Sequence, residues 1–267
     1  MNRLHPTFAC GRFTCAATLD CAPGHTGLLI VSGGNEIRSG AFGGQAALAA
    51  NIAAAGFPVF RFDRRGIGDS DGENRGYRKS ATDIAAALSA FRAMAPQMER
   101  VVAFGNCDAA SALMLGSGFG CDALVLSNPW TIEDEAGEGS NATAAPPAAL
   151  RTRYARKLAN PREVLRLLRG GVDLRKLARG LGQAFGGAPT PSNLSQEMAA
   201  GLREFDGPVR IVLAGADRTA QLFEESWKSV GRATTAEIAR CDGAGHAYVE
   251  PHAKEFLRQQ LLEVLRG

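Results

Sequence analysis

The segment from residue 101 to residue 111 constrains the fold more than any other part of the chain. Its sequence, VVAFGNCDAAS, predicts a buried strand, a tight turn of small residues and the start of a helix. Enzymes that present a nucleophile on such a turn commonly carry Gly-x-Ser-x-Gly there. This chain keeps the first glycine as Gly105, has Cys107 in place of the serine and has Ala109 in place of the last glycine. The segment therefore predicts a cysteine nucleophile between a strand and a helix.

Strand-like and helix-like segments alternate along most of the chain. Apolar runs typical of buried strands occur at residues 27–32, 57–62, 101–106, 123–127 and 208–213, and helical patterns occur at 45–55, 80–93 and 251–265. This alternation predicts an α/β fold with a mostly parallel, doubly wound sheet and right-handed crossovers. At 267 residues with 45% apolar content, the chain suits one such domain carrying an insertion.

The alternation breaks after Trp130 and resumes at Pro208. Because this gap is too long for a plain connection, we predict a core of residues 1–130 and 205–267, with residues 131–204 as a helical cap over the carboxyl ends of the strands. Residues 151–179 hold ten Arg and Lys against two acidic residues, a local excess of +8. The solvated face of a packed cap is the favoured explanation of this charge. Contact with an anionic polymer, a membrane surface or a partner protein is the alternative.

Overall charge and cysteine spacing argue against several other classes of protein. The formal net charge of +3 gives no argument for nucleic-acid binding. The six cysteines lack the paired spacing of a structural zinc site, so we expect no metal and no cofactor, and we expect Cys10, Cys15 and Cys21 to be buried strand or turn residues. The N-terminus lacks an apolar signal segment, and no run reaches the ~20 apolar residues of a membrane span. We expect a reducing, cytoplasmic setting.

A nucleophile on a strand-to-helix turn needs a base, and the base needs an acid that orients it. Asp217 follows the strand that ends at Leu213, and His246 lies between a last predicted strand, at residues 235–239, and the last helix. Because all three positions follow the carboxyl ends of predicted strands, we expect Cys107, His246 and Asp217 to form a triad. Taken singly, Asp217 suits a helix N-cap, His246 a hydrogen-bonded loop residue, and Cys107 a buried thiol of an inactive relative.

The reaction also needs donors for the oxyanion that develops on the attacked carbonyl. The backbone N–H of Asp108, directly after the nucleophile, is one candidate. The second is the N–H of Gly34 in the loop after the strand at residues 27–32, with Asn35 as its alternative. We expect Gly33, Asn35 and Trp130 to line the substrate site.

Four segments together resemble the exosortase A system-associated hydrolase 1 family of the α/β-hydrolase superfamily. They are residues 27–35, 54–72, 105–111 and 127–130, with the sequences GLLIVSGGN, AAGFPVFRFDRRGIGDSDG, GNCDAAS and SNPW. The resemblance implies an α/β-hydrolase fold and a cytoplasmic hydrolase or acyl-transfer enzyme associated with bacterial exopolysaccharide production and PEP-CTERM protein sorting. It also implies that Cys107 is the nucleophile, Asp217 the acid and His246 the base. Asn35 and Ala109 depart from the family pattern, and both departures bear on the oxyanion site.

Two hypotheses of function follow from these residues. In the first, Cys107 attacks an ester, thioester or lactone of a small molecule or of a lipid- or saccharide-linked acyl group, and water or another hydroxyl takes the acyl group from the enzyme. In the second, the chain is a non-catalytic or weakly active binding module whose basic cap docks on an anionic polymer, a membrane surface or a partner protein. Salt dependence of binding separates the second from the first.

Overall fold

The computed structural model describes residues 2–132, 192–231 and 234–267 of the chain. The strands in these ranges are β1 Arg3–Leu4, β2 Thr7–Cys10, β3 Phe13–Asp20, β4 Thr26–Val31, β5 Val59–Phe62, β6 Arg100–Asn106, β7 Ala123–Ser127, β8 Val209–Ala214 and β9 Glu237–Cys241. The α-helices are α1 Gly44–Ala54, α2 Ala81–Met94, α3 Asp108–Leu115, α4 Asn193–Arg203, α5 Arg218–Val230 and α6 Pro251–Arg266.

These strands form one sheet that is mostly parallel. Its order is β1-β3-β5-β4-β6-β7-β8-β9, with β2 paired to β3. The six strands from β5 to β9 in this order run parallel, whereas β3 is antiparallel to β1, β2 and β5. The predicted doubly wound, mostly parallel α/β sheet is therefore confirmed.

Alternating side chains of the central strands pack into two apolar layers, one on each face of the sheet. Leu29 and Val31 of β4 face the layer that contains α2 and α3, whereas Leu28 and Ile30 face the layer that contains α1 and α6. All four side chains are buried. Because both faces of the parallel strands are covered by helices, the strand sequences are continuous apolar runs. The residues available for a functional site therefore lie at the carboxyl ends of these strands.

Two helices lie outside the pattern deduced from sequence. Helix α4 falls in the range predicted to be a cap, but it packs its buried Leu194, Met198 and Leu202 into the core layer of α3. Helix α5 directly follows Asp217, and no helix was predicted there. Residues 133–191, which hold the rest of the predicted cap and its basic segment, lie outside the described residues.

Among the helices described, none combines the length and the apolar sequence needed to cross a membrane.

Candidate active site

Cys107 lies on the sharp turn between β6 and α3. Its backbone has φ 60° and ψ −127°, a conformation that is uncommon for a residue other than glycine. The turn brings the helix so close that a Cβ on Gly105 would lie 2.8 Å from the backbone nitrogen of Ala110, which explains the glycine at this position. The N–H of Cys107 donates to Ser127 O at 3.0 Å, so β7 supports the turn. The thiol is half-buried at the N-terminus of α3.

Asp217 and His246 meet beside this turn. His246 Nδ1 lies 2.8 Å from Asp217 Oδ2. The same carboxylate oxygen accepts the N–H of Ala220 at 3.2 Å, so Asp217 is also the N-cap of α5. Asp217 therefore contacts His246 and caps α5 through the same oxygen atom. The loop that carries Asp217 and the loop that carries His246 are joined by a hydrogen bond, in which the N–H of Ala216 donates to Ala244 O at 2.9 Å.

The imidazole of His246 interacts with both predicted partners. Its hydrogen bonds with Asp217 and with Cys107 raise the pKa of His246 to about 10, although burial opposes the shift. The positively charged imidazole is therefore the form favoured at neutral pH. Burial is the main cause that raises the pKa of Cys10 and Cys121 to about 12.

The two candidate oxyanion donors lie next to each other, and they are joined by a contact that the sequence did not reveal. The N–H of Gly34 donates to the side-chain Oδ1 of Asp108 at 2.6 Å. Gly33 makes the approach possible, because a Cβ there would lie 2.7 Å from Asp108 Oδ1 and 2.7 Å from Asn106 O. One donor of the predicted pair is thus already bonded to a carboxylate of the residue that supplies the other.

The remaining residues predicted to line the substrate site take different positions. Asn35 is exposed, and its Oδ1 accepts a hydrogen bond from Asn74 Nδ2 at 2.8 Å. Trp130 is half-buried and packs against the core, and its N–H donates to Cys107 O at 3.3 Å. Its carbonyl accepts from Ser111 Oγ at 2.7 Å. Trp130 therefore adjoins the nucleophile turn, whereas Asn35 lies in the exposed part of the loop after β4.

A buried amide network below the triad was missed by the sequence analysis. Asn128, at the end of β7, is fully buried, and its Oδ1 accepts the N–H of Ala214 at 2.8 Å. Its Nδ2 donates to Asn106 Oδ1 at 3.0 Å and to His246 O at 3.4 Å. Asn106 Nδ2 also donates to His246 O, at 3.2 Å. The network fixes the loop that carries the base, and its signal in the sequence was a polar residue at the end of each of two buried strands.

A cavity of about 250 Å³ lies beside the triad, between α1 and α6. Asn106 and Ala247, the neighbours of the nucleophile and of the base, contribute to its wall, and Leu48 and Phe104 form apolar parts of it. Glu36 also lines it, and desolvation raises the pKa of this carboxyl group, with the nearby charge of Asp108 acting in the same direction. Glu36 in the cavity wall thus lies close enough to Asp108 for their charges to interact.

A second group of titratable side chains lies away from this site. One ligand atom from each of Cys10, Cys15 and Asp83 falls within 4.8 Å of the others, and all three residues are buried. Arg65 Nε donates to Asp83 at 2.5 Å, and the Cys10 thiol donates to the same carboxylate at 3.4 Å. These hydrogen bonds satisfy the carboxylate within the protein, so the group is explained without a bound ion.

Comparisons with known proteins agree with this architecture. Residues 28–259 match the sequence model described as "Alpha/beta hydrolase family". The structure is similar to Est1E from Butyrivibrio proteoclasticus with ferulic acid bound, with a TM-score of 0.62 at 16% identity over 98% of this chain and 100% of that chain. It is also similar to a Pyrococcus furiosus esterase, with a TM-score of 0.63 at 13% identity over 99% of this chain and 92% of that chain.

A third similar structure is the proline iminopeptidase of Mycobacterium smegmatis, with a TM-score of 0.58 at 14% identity over 98% of each chain. A search among curated proteins gave no match. At these sequence identities the structural similarity shows a shared fold alone, and the activities of these proteins are not assigned to this chain by it.

Proposed function

The chain belongs to the alpha/beta hydrolase family, and from this premise we propose that it cleaves or transfers acyl groups through a covalent intermediate on Cys107. In this proposal His246 is the base and Asp217 orients it. The observation that carries the proposal is the imidazole of His246, which lies 2.8 Å from Asp217 and also hydrogen-bonds with Cys107. Esters, thioesters and lactones of small molecules, or of lipid- or saccharide-linked acyl groups, are the proposed donors.

The first half of the reaction forms the acyl-enzyme. The Cys107 thiolate attacks the acyl carbonyl carbon, and the carbonyl electrons move onto the oxygen to give a tetrahedral oxyanion. The N–H groups of Asp108 and Gly34 are the proposed donors to that oxyanion. When the intermediate collapses, the bond to the leaving group breaks, and protonated His246 gives its proton to the departing oxygen or sulfur. A thioester with Cys107 remains.

The second half regenerates the Cys107 thiolate and protonated His246. Neutral His246 takes a proton from water, or from an acceptor hydroxyl, as that oxygen attacks the thioester carbonyl. Collapse of the second tetrahedral intermediate expels the Cys107 thiolate and releases an acid or a new ester. Hydrolysis and transfer share the acyl-enzyme, so the choice between them depends on which hydroxyl reaches the carbonyl.

The chemistry of the nucleophile supports this donor class. A thiolate is a good attacking and leaving group, which suits thioesters, activated esters and lactones better than amides. One of the similar structures, the Pyrococcus furiosus protein, is an esterase, and another, Est1E, has a carboxylic acid, ferulic acid, bound; both favour an acyl donor of the ester type. On the sequence resemblance given above, the setting we propose is cytoplasmic and associated with an exosortase system.

One observation favours a second candidate function. The Gly34 N–H, which an oxyanion requires, is occupied by the Asp108 carboxylate. A protein that uses this fold only for binding would tolerate such a contact. The second candidate is therefore a non-catalytic or weakly active binding module, with an anionic polymer, a membrane surface or a protein as its partner.

Turnover of a matched donor panel separates the two functions. Short-chain p-nitrophenyl esters and acyl thioesters are incubated with the wild type, Cys107→Ala, His246→Ala and the control Cys21→Ala, in which another incompletely buried cysteine is removed. The acyl-enzyme proposal expects turnover by wild type and Cys21→Ala, loss with Cys107→Ala, and a decrease of roughly 100-fold or more with His246→Ala. Equal turnover by wild type and Cys107→Ala, or none by either across the panel, contradicts it and favours the binding module.

A further inference from the structure

The carboxylate of Asp108 lies where the substrate oxyanion has to bind. Its Oδ1 is 2.6 Å from the Gly34 nitrogen. Donors in a working oxyanion site lie about 2.7–3.1 Å from the oxygen they stabilise. A negatively charged oxygen at this distance takes the position and the hydrogen bond that the oxyanion would use. Two anionic oxygens repel each other, so they do not share this single N–H.

Both backbone polar groups of Gly34 contact charged side chains. Asp108 accepts from its N–H, and the guanidinium of Arg64, which is only 4% exposed, donates to its carbonyl oxygen. The Gly34 N–H belongs to the peptide group whose carbonyl is Gly33 O, and this oxygen accepts the N–H of Glu36 at 3.0 Å. Because this hydrogen bond fixes the plane of that peptide group, the Gly34 N–H keeps its direction when the carboxylate moves away. The donor is therefore preformed, and a side chain covers it.

The Asp108 carboxylate, which covers the Gly34 N–H, has room to move away from it. Asp108 is half-buried, Gly34 is exposed, and a Cβ built on Gly34 meets nothing within 4 Å. None of the ion pairs found among the described residues includes Asp108, and its charge acts on the neighbouring Glu36. A displaced Asp108 carboxylate consequently needs a new hydrogen-bond donor, and the donor that arrives together with the oxyanion is the substrate itself.

We propose that Asp108 selects the substrate: its carboxylate occupies the oxyanion site at rest, and it is displaced most readily by acyl groups that carry a hydroxyl or ammonium group beside the carbonyl. This inference rests on the acyl-enzyme function proposed above. The substituent on the acyl group binds the displaced carboxylate, and the carbonyl oxygen takes the Gly34 N–H. An unsubstituted acyl group offers no donor to the Asp108 carboxylate. It must break the charge-assisted hydrogen bond between Asp108 and the Gly34 N–H without giving the carboxylate a new one.

A pair of donors of equal size tests this selection. Glycolyl and propionyl thioesters of N-acetylcysteamine differ by a hydroxyl in place of a methyl group. The rate of acylation of Cys107 by each is measured by quenched mass spectrometry in the wild type, Asp108→Ala and Asp108→Asn. Alkylation of Cys107 by chloroacetamide, which forms no oxyanion, is measured in the same three proteins. It corrects each acylation rate for changes in thiol reactivity or folding.

The expected result is a loss of discrimination in Asp108→Ala. After correction, acylation by the propionyl donor rises by about tenfold or more, because the charged hydrogen bond no longer has to be broken, and acylation by the glycolyl donor changes much less. Asp108→Asn keeps a neutral acceptor for the Gly34 N–H, so its propionyl rate should fall between those of the other two proteins.

Three outcomes overturn the inference. A corrected propionyl rate in Asp108→Ala that is unchanged or lower means that the carboxylate does not obstruct the site. An equal rise for both donors means that it obstructs without selecting. If Cys107 is alkylated but neither donor acylates it in any of the proteins, the proposed acyl-enzyme function fails as well, which distinguishes this outcome from the first two.

Discussion

Replacement of Asn128 tests whether the buried amide network maintains the geometry around His246. Asn128→Ala removes the acceptor of the Ala214 N–H, which lies 2.8 Å away in the buried end of β8. It also removes the donor to Asn106 and one of two donors to His246 O. In addition, alanine has to adopt φ 43°, the left-handed conformation that Asn128 occupies. The substitution therefore combines lost hydrogen bonds with backbone strain.

The magnitude follows from these two contributions. A buried group left without its partner costs about 1–3 kcal/mol. A non-glycine residue in the left-handed region costs a further 1–2 kcal/mol, roughly, and asparagine tolerates this region better than alanine. We expect Asn128→Ala to lower the free energy of unfolding by about 2–5 kcal/mol. Asn128→Gly loses the same hydrogen bonds but adopts φ 43° freely, so it should be more stable than the alanine variant by about 1 kcal/mol.

Urea unfolding followed by circular dichroism measures both differences, and acylation of Cys107 measured on the folded variants reports the position of His246. The acylation rate should fall in both variants, because His246 O keeps a single amide donor, Asn106. A loss of less than about 1 kcal/mol in Asn128→Ala would mean that the Ala214 N–H finds another partner or costs little when it is unpaired. A glycine variant no more stable than the alanine variant would mean that the left-handed backbone at position 128 is not strained.

Three further predictions concern other groups. By NMR, the His246 imidazole should titrate near pH 10 in the wild type and closer to about 6.5 in Asp217→Asn. Because the pKa of His246 is higher in the folded than in the unfolded protein, the stability from the contact with Asp217 is complete below about pH 6.5 and is lost as the pH rises towards 10. Equal titration of His246 in both proteins would contradict this. At pH 8 in the native state, Cys10 and Cys121 should stay unlabelled by iodoacetamide, since burial raises the pKa of each to about 12; peptide mass spectrometry that finds either one labelled as fast as Cys107 would argue otherwise. Gly33→Ala should lose about 1–3 kcal/mol of stability in urea unfolding, since its Cβ would lie 2.7 Å from two oxygen atoms, and a loss within error of zero would show that the turn adjusts.

The sequence predicted those parts of the site that follow from local pattern. Cys107, Asp217 and His246 follow the parallel strands β6, β8 and β9, and parallel strands carry their carboxyl ends to one edge of a sheet. For this reason their convergence could be expected from the chain order of strands and polar residues alone. Helix α5 was not predicted, because its N-cap, Asp217, equally suits an acid that orients a histidine, and the pattern of one residue does not reveal that it has both roles.

Contacts between distant segments could not be predicted in the same way. The contact between Gly34 and Asp108 depends on the rotamer of one side chain and on a Cβ that Gly33 lacks, and neither has a local signature. The network of Asn106 and Asn128 joins strands β6, β7 and β8 to the His246 loop. Polar residues at strand ends indicate that a hydrogen bond is needed, but they do not identify the partner.

The covalent intermediate is tested most directly by locating the acyl group on the chain. Wild-type protein is mixed with a short acyl thioester, quenched in acid within the first turnover, digested and mapped by mass spectrometry. We expect a transient acyl mass on the peptide that contains Cys107, absent in Cys107→Ala and slower to form in His246→Ala. Turnover with no acyl group on Cys107 at any time point, or an acyl group on another residue that persists in Cys107→Ala, would contradict the claim that Cys107 is the nucleophile.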